Sequence, residues 1–339
     1  MSAAQPQAVT PERIMQFMWG YVPPLAIESA VCNGVFDALD KSPKTLDQLA
    51  AETGASTRGL RPVLDLLVGL QLLTRDNDNH YALTPDSSTF LVSGKPAFLG
   101  GMYRHMSRQL MPNFLHLRDV VKTGKPVERV DEKDDGSAFF AEFVADIFPM
   151  SYAPASVLAN SLPQLHSGQP VRVLDIATGS GVWGIALAQA SPNVTVTGVD
   201  WPNVAEVTQK MVARFGLTDR FSYITGNLRE VDFGSGYTIA TLGHILHSEG
   251  ESASRHLLKK VFDALAPGGT IAIAEFLVNA DRRGPVPGLI FAVNMLVNTT
   301  DGDTWSFEQI RSWLTEIGFT NVRQLDSPGP SPLILADKP

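Results

Sequence analysis

The chain has 339 residues, of which 18% are charged and 44% hydrophobic, and a formal net charge of −8. That length admits two domains and a sizeable core, while the acidic balance argues against a broad nucleic-acid footprint or an anionic membrane surface, since both need basic residues. Cys32 is the single cysteine, which excludes an internal disulfide and a cysteine-based metal site; no apolar run approaches about 18 residues and the first residues do not read as an export leader, so a cytoplasmic protein is expected.

Thr10 and Pro11 read as the N-cap and first position of a helix through Ile14, Phe17 and Met18, which Pro23-Pro24 should break before a second apolar segment from Leu25 to Leu39. The apolar residues here are too many for one face of an exposed helix, so this region is expected to form part of a homodimer. From Thr45, TLDQLAAETGASTRGLRPVLDLLVGLQLLTRDNDNHYALTP reads as a helix, a turn at Gly54, a longer helix and two short strands about a polar tip, which is winged-helix architecture. Arg58 and Arg61 on the second helix could face DNA, but Asp47, Glu52, Asp76 and Asp78 oppose a phosphate backbone. Residues 1–95 are therefore expected to be a mostly helical winged-helix domain used for packing and dimerisation.

Residues 96–160 read as connecting helices broken by a charged stretch, Lys122 to Asp135, expected to be a solvated loop. Met102, Met106, Met111, Phe148 and Met150, with His105 nearby, are candidates for an aromatic substrate pocket, because methionine adapts to flat ligands; the same residues also suit plain core packing.

The stretch VRVLDIATGSGVWGIALAQASPNVTVTGVD, from Val171 to Asp200, reads as strand, glycine loop, helix and strand. Gly179, Gly181 and Gly184 let the backbone turn sharply and approach a ligand, and Asp200 stands where a carboxylate accepts ribose hydroxyls. The spacing also matches a dinucleotide fingerprint. Asp175, four positions before Gly179, favours S-adenosylmethionine over NAD, because a carboxylate there repels a pyrophosphate but not an ammonium or a sulfonium.

Beyond Asp200, helix and strand alternate through FSYITGN, YTIATLGHIL, ESASRHLLKKVFDALA and TIAIAEFLV, which implies a parallel doubly wound sheet with its crevice at the strand carboxyl ends. TNVRQLD and PLILADK, joined by PGPS, read as an antiparallel hairpin at the sheet edge, so residues 161–339 are expected to be a Rossmann-like seven-stranded domain. Asp175, Asp200, Asn227, His244, His247 and Glu275 all fall at strand ends. His247 and Glu275 follow consecutive strands, so an imidazole base with an orienting carboxylate is expected there. A metal at His244, His247 and Glu275 lacks a further ligand, and none is expected.

With VLDIATGSG, GVDWPNV, ILH and APGGTIAIAEF following a winged fold, the chain resembles the two-domain small-molecule O-methyltransferases of the caffeate and hydroxyindole type and their bacterial relatives, over almost its whole length. The resemblance implies S-adenosylmethionine as cofactor, held by Asp175, Gly179, Gly181, Asp200, Trp201, Asn227 and Leu228. It further implies His247 as general base, Glu275 as its support, and Met150 and Met295 as clamps on a small aromatic or polyketide-like acceptor; His244, three residues before His247, suits the acceptor side or a structural role alike. The chain departs from the family pattern at Ser248-Glu249, where Asp-Trp is usual, at Gly243 in place of a lysine, at Asn227 in place of an acidic residue, and at Thr304 in place of a second supporting glutamate. Methylation of nitrogen or carbon with the same cofactor site, or a cofactor-binding winged-helix regulator without catalysis, are the alternatives.

Overall fold

The computed structural model of the chain describes residues 9–127, 140–141, 143–329 and 331–339, and it divides into two compact units, one ending at Ser107 and the other beginning at Arg108. The charged stretch expected as a loop lies outside the described residues from 128 onward; Lys122 belongs to the helix Leu117–Thr123.

In the first unit, helix Glu12–Met18 takes Pro11 as its N-cap, one residue later than the sequence pattern placed it, and buries none of its side chains. Ile14, Phe17 and Met18 are 69%, 72% and 65% exposed. The expected break before the second apolar segment falls at Trp19–Tyr21, just ahead of the prolines, which sit in the first turn of helix Val22–Cys32, where a missing N–H costs no intrahelical bond. That segment divides once more at Asn33-Gly34, and Val35–Lys41 forms a separate helix. Thr45 and Gln48 form a capping box on helix Leu46–Thr53, and Ser56 caps Thr57–Gly69 through the N–H of Gly59. Strands β1 (Leu73–Arg75) and β2 (Tyr81–Leu83) pair antiparallel as the wing. Phe36, Leu49, Leu64, Leu67, Leu73 and Tyr81 join these elements in one core. At the wing tip, Asp76 accepts hydrogen bonds from the N–H groups of Asp78 and His80, so its carboxylate serves the turn.

The second unit is built on β3 (Val171–Ile176), β4 (Val194–Asp200), β5 (Phe221–Thr225), β6 (Tyr237–Gly243), β7 (Leu265–Ala274), β8 (Thr320–Leu325) and β9 (Leu333–Asp337). The order is β5-β4-β3-β6-β7-β9-β8; the first five strands are parallel, and β9 runs antiparallel to both β7 and β8. The expected edge hairpin is present, with its second strand inserted next to β7. Alternation along β3 sends Val171 and Val173 to one core and Leu174 and Ile176 to the other. Helices Phe148–Ser161 and Val182–Ala190 cover the first face, so the last expected connecting helix is part of the sheet's packing. Helices Leu246–Ala264 and Phe307–Ile317 cover the second.

Leu174 lies in the middle of β3 with no exposed surface. Replacing it with alanine is expected to lower stability by about 2–5 kcal/mol, read as a shift in the urea unfolding midpoint, because the sheet on both sides prevents the cavity from collapsing.

Candidate active site

The carboxyl ends of β3, β4, β6 and β7 bring the expected acidic and imidazole groups to one edge of the sheet. Strand β6 stops at Gly243 because His244 takes a φ of 63°, a left-handed conformation that ends the ladder and redirects the chain. The expectation that the strand continued through Ile245 and Leu246 is thereby corrected: Leu246 begins the helix that runs to Ala264. That helix is interrupted at Gly250, with φ 71° and ψ 168°, and a Cβ there would meet the carbonyl oxygen of Asp301 at 2.9 Å. Glycine is therefore required, and His247 sits in a short turn ahead of the break.

Glu275 follows β7 directly and is 1% exposed. Its Oε2 lies 2.7 Å from His247 Nδ1, and its Oε1 accepts from the N–H groups of Leu246 at 2.7 Å and His247 at 3.3 Å. Burial pushes the Glu275 carboxyl up, but the adjacent His247 imidazole and the hydrogen bonds outweigh it, and the net direction is below the ordinary carboxylate range. An ionised Glu275 accepts a proton-bearing Nδ1, which assigns the lone pair of neutral His247 to Nε2. The backbone of the turn is gripped as well: Trp305 Nε1 and Ser254 Oγ donate to the Leu246 carbonyl, and Asp303 N–H to the His247 carbonyl.

Aromatic rings surround this pair. The Phe291 ring meets His247 edge-on at 4.8 Å between centroids and stacks on Phe276 at 4.0 Å. His244 lies 5.2 Å from Phe276 and its Nε2 is 2.8 Å from Ser331 Oγ. Burial pushes His244 down to about 4, so it is neutral at physiological pH. Met150, Trp183, His244 and Ser331 line one small cavity. Met295 is buried on helix Val286–Asn298, one turn beyond Phe291. Phe148 is a packing residue that stacks on Tyr152 and Phe215 in the first core of the sheet, which corrects its expected place in a pocket. Met102 and His105 belong to helix Gly100–His105 of the first unit.

At the glycine loop, Asp175 departs from expectation. Its carboxylate is fully buried and accepts from Thr241 Oγ1 at 2.6 Å, Thr178 Oγ1 at 2.8 Å and the Gly184 N–H at 3.1 Å. It braces the loop from inside, so the electrostatic preference argued from a ligand-facing Asp175 has no basis in this geometry. Asp200 is the carboxylate at the rim: Oδ2 accepts from the Gly179 N–H and Oδ1 from the Trp201 N–H, both at 2.8 Å. Gly181, at φ 78°, starts the following helix, and a Cβ there would press Thr208 Cγ2 at 3.0 Å. Asn227 turns its side chain into its own loop, accepting from the Arg229 N–H, while Leu228 beside it is nearly buried. Ser248 Oγ donates to the Ile245 carbonyl, and Glu249 pairs with Arg229 at 3.0 Å.

Sequence reasoning missed Thr178, Thr208 and Thr241, which tie the loop, and Trp183, Phe276 and Phe291, which enclose the histidines. Thr178 lies three residues after Asp175, Trp183 two after Gly181, Thr241 three before His244 and Phe276 directly after Glu275, so these were within reach of the pattern; Thr208 and Phe291 come from other elements and carried no local signal. Among the described residues no helix is long and apolar enough to cross a membrane.

Comparison with known proteins gives a consistent picture. A family model described as an O-methyltransferase domain matches residues 156–320, and one described as an O-methyltransferase dimerisation domain matches residues 15–93. The chain is 29% identical to the 3-hydroxy-5-methyl-1-naphthoate 3-O-methyltransferase of Streptomyces sahachiroi over 99% of this chain and 98% of that one. It is 27% identical to the tetracenomycin polyketide synthesis 8-O-methyl transferase of Streptomyces glaucescens, covering 97% of each. The crystal structure of human N-acetylserotonin methyltransferase in complex with SAM superimposes with a TM-score of 0.84 at 22% identity, over 100% of this chain and 99% of that one.

Burial pushes the Asp200 carboxyl up to about 6 from an ordinary 3.8, its two N–H bonds offsetting only part of the effect. A carboxyl whose folded pKa is raised contributes stability that is present below the unfolded value and lost as pH rises through the folded one. Asp200→Asn cannot titrate, so the wild-type stability minus that of the variant is expected to fall between about pH 4 and pH 6 and to level above it. Urea unfolding of both proteins across this range checks the sign.

Proposed function

The chain belongs to the O-methyltransferase family, whose methyl donor is S-adenosylmethionine, and from that premise we propose that it methylates a hydroxyl of a small aromatic or polyketide-like acceptor with His247 as general base. The observation that carries the proposal is the His247–Glu275 pair, held at 2.7 Å at the ends of two neighbouring parallel strands. The naphthoate and tetracenomycin relatives support the acceptor class.

The donor set fits an adenosyl group. Each Asp200 oxygen accepts one backbone N–H, which leaves a lone pair on each for the two ribose hydroxyls. Leu228 offers apolar surface and Asn227 a polar edge on the adenine side, and Gly179 and Gly181 keep the loop free of side chains. When bound, the donor supplies an electrophilic methyl on a sulfonium. The chain's own work is alignment and proton removal. His247 Nε2 takes the hydroxyl proton while Nδ1–H stays bonded to Glu275, whose charge stabilises the imidazolium. Because the N–H of Leu246 holds the other Glu275 oxygen, the carboxylate cannot turn away as the proton arrives. Phe291 and Phe276 keep the ring against an apolar wall and limit water at the base.

The exposed apolar face of helix Glu12–Met18 supports a homodimer formed through the amino-terminal helices, since a patch of that kind is stable in water only when covered. Phe17→Asp is expected to shift the chain toward monomer in analytical ultracentrifugation.

His247→Ala is expected to lower kcat by about 10²- to 10⁴-fold on a hydroxynaphthoate or a related phenol while S-adenosylhomocysteine binds with unchanged affinity. Turnover undiminished in this variant on the best acceptor of the panel would instead favour methylation at nitrogen or carbon. Calorimetry with S-adenosylhomocysteine and NADH tests the donor itself.

A further inference from the structure

Loop Gly226–Val231 follows β5 and carries Asn227 and Leu228. Its own hydrogen bonds run inward: the N–H groups of Glu230 and Val231 both go to the Asn227 carbonyl, and the Asn227 side chain accepts from the Arg229 N–H. That turn leaves the carbonyls of Leu228 and Val231 outside it. Both accept from one side chain, Lys260, whose Nζ lies 2.6 Å from the Leu228 oxygen and 2.9 Å from the Val231 oxygen. The same ammonium stands 4.2 Å from the centroid of the buried Phe233 ring.

This lysine is not a solvated surface charge. Its neighbour Lys259 pairs with Asp263 one turn away on its own helix, in solvent, whereas Lys260 turns onto the loop and half-buries its stem. Burial pushes its pKa down, partly offset by Asp232, as expected for a cation satisfied mainly by neutral carbonyls. An ammonium with two carbonyls and a ring face in fixed positions specifies the loop's shape in a way an exposed ion pair does not. Glu249 and Arg229 make a second link to the same loop, from ahead of the break at Gly250, with the guanidinium half exposed.

We propose that Lys260 is a positioning residue for the methyl donor: it holds Leu228 in the place where the adenine packs. The inference rests on the reading that Leu228 and Asn227 flank the adenine. Lys260 lies on the helical stretch beyond the break at Gly250, and His247 in the turn ahead of it, so the two are consecutive along the run Leu246–Ala264.

The test is calorimetry on the full-length chain with S-adenosylhomocysteine and with adenosine as probes. Lys260→Met keeps the stem over Phe233 and removes the donors; it is expected to raise the Kd of both probes about tenfold, by the same ratio, since the contact is on the adenine side. The melting temperature without ligand should stay within the spread of the wild type, and Lys260→Arg should recover most of the affinity. Leu228→Glu serves as the control on the underlying reading. If it weakens binding while Lys260→Met leaves both Kd values unchanged, the positioning role is overturned and the adenine reading stands. If neither variant alters binding, both are overturned. A Lys260→Met protein that melts early and binds both probes as the wild type does would mark the lysine as structural only and also overturn the proposal.

Discussion

A carboxylate with 1% exposure is tolerable in a sheet protein only when donors meet it from every side, and Glu275 is met by the Leu246 N–H, the His247 N–H and the His247 ring. All three donors lie in the turn that leaves β6, while the acceptor leaves β7. The contact therefore joins the exits of two adjacent parallel strands and decides how the chain departs from both. Ending β6 at the left-handed His244 and bending the next helix at Gly250 are what place those donors within reach. The imidazole is oriented by the same contact that makes the buried charge possible.

Two further buried carboxylates shape the other half of the sheet edge, with a different outcome. Asp175 and Asp200 are satisfied by hydroxyls and backbone N–H groups, and burial lifts each to about 6. Glu275 faces an imidazole and moves the other way. Neutral donors compensate lost hydration only in part, whereas a group able to carry positive charge does so more fully. The glycine loop is thus held by carboxylates that are hydrogen-bond acceptors first, and His247 is held by one that remains ionised.

Much of this was legible in the chain. The strand and helix alternation, the helix opening at Thr45 and the edge hairpin follow from local patterns, because apolar periodicity acts within a few residues, and the proximity of His247 to Glu275 follows from their places after consecutive strands. Less legible were features set by contacts distant in sequence. Phe148 reads equally well as pocket or core, and only its stacking on Phe215 decides for core. Phe291 and Lys260 reach their partners from helices far along the chain, and no spacing rule links them to His247 or Leu228.

The amino-acid sequence by itself determined the fold class, the order of its two parts and the set of polar residues at the strand ends, since the parallel topology sends every strand's carboxyl end to one edge. Tertiary structure decided which way each of those side chains turned. Asp175 has the position of a ligand-binding carboxylate, yet Thr178, Thr241 and the Gly184 N–H take it inward, because a carboxylate that close to the sheet centre is satisfied by the loop or not at all. Asp200, at the last residue of its strand, accepts a single backbone N–H on each oxygen. The same residue type thus plays two different parts for reasons of burial that no spacing along the chain encodes.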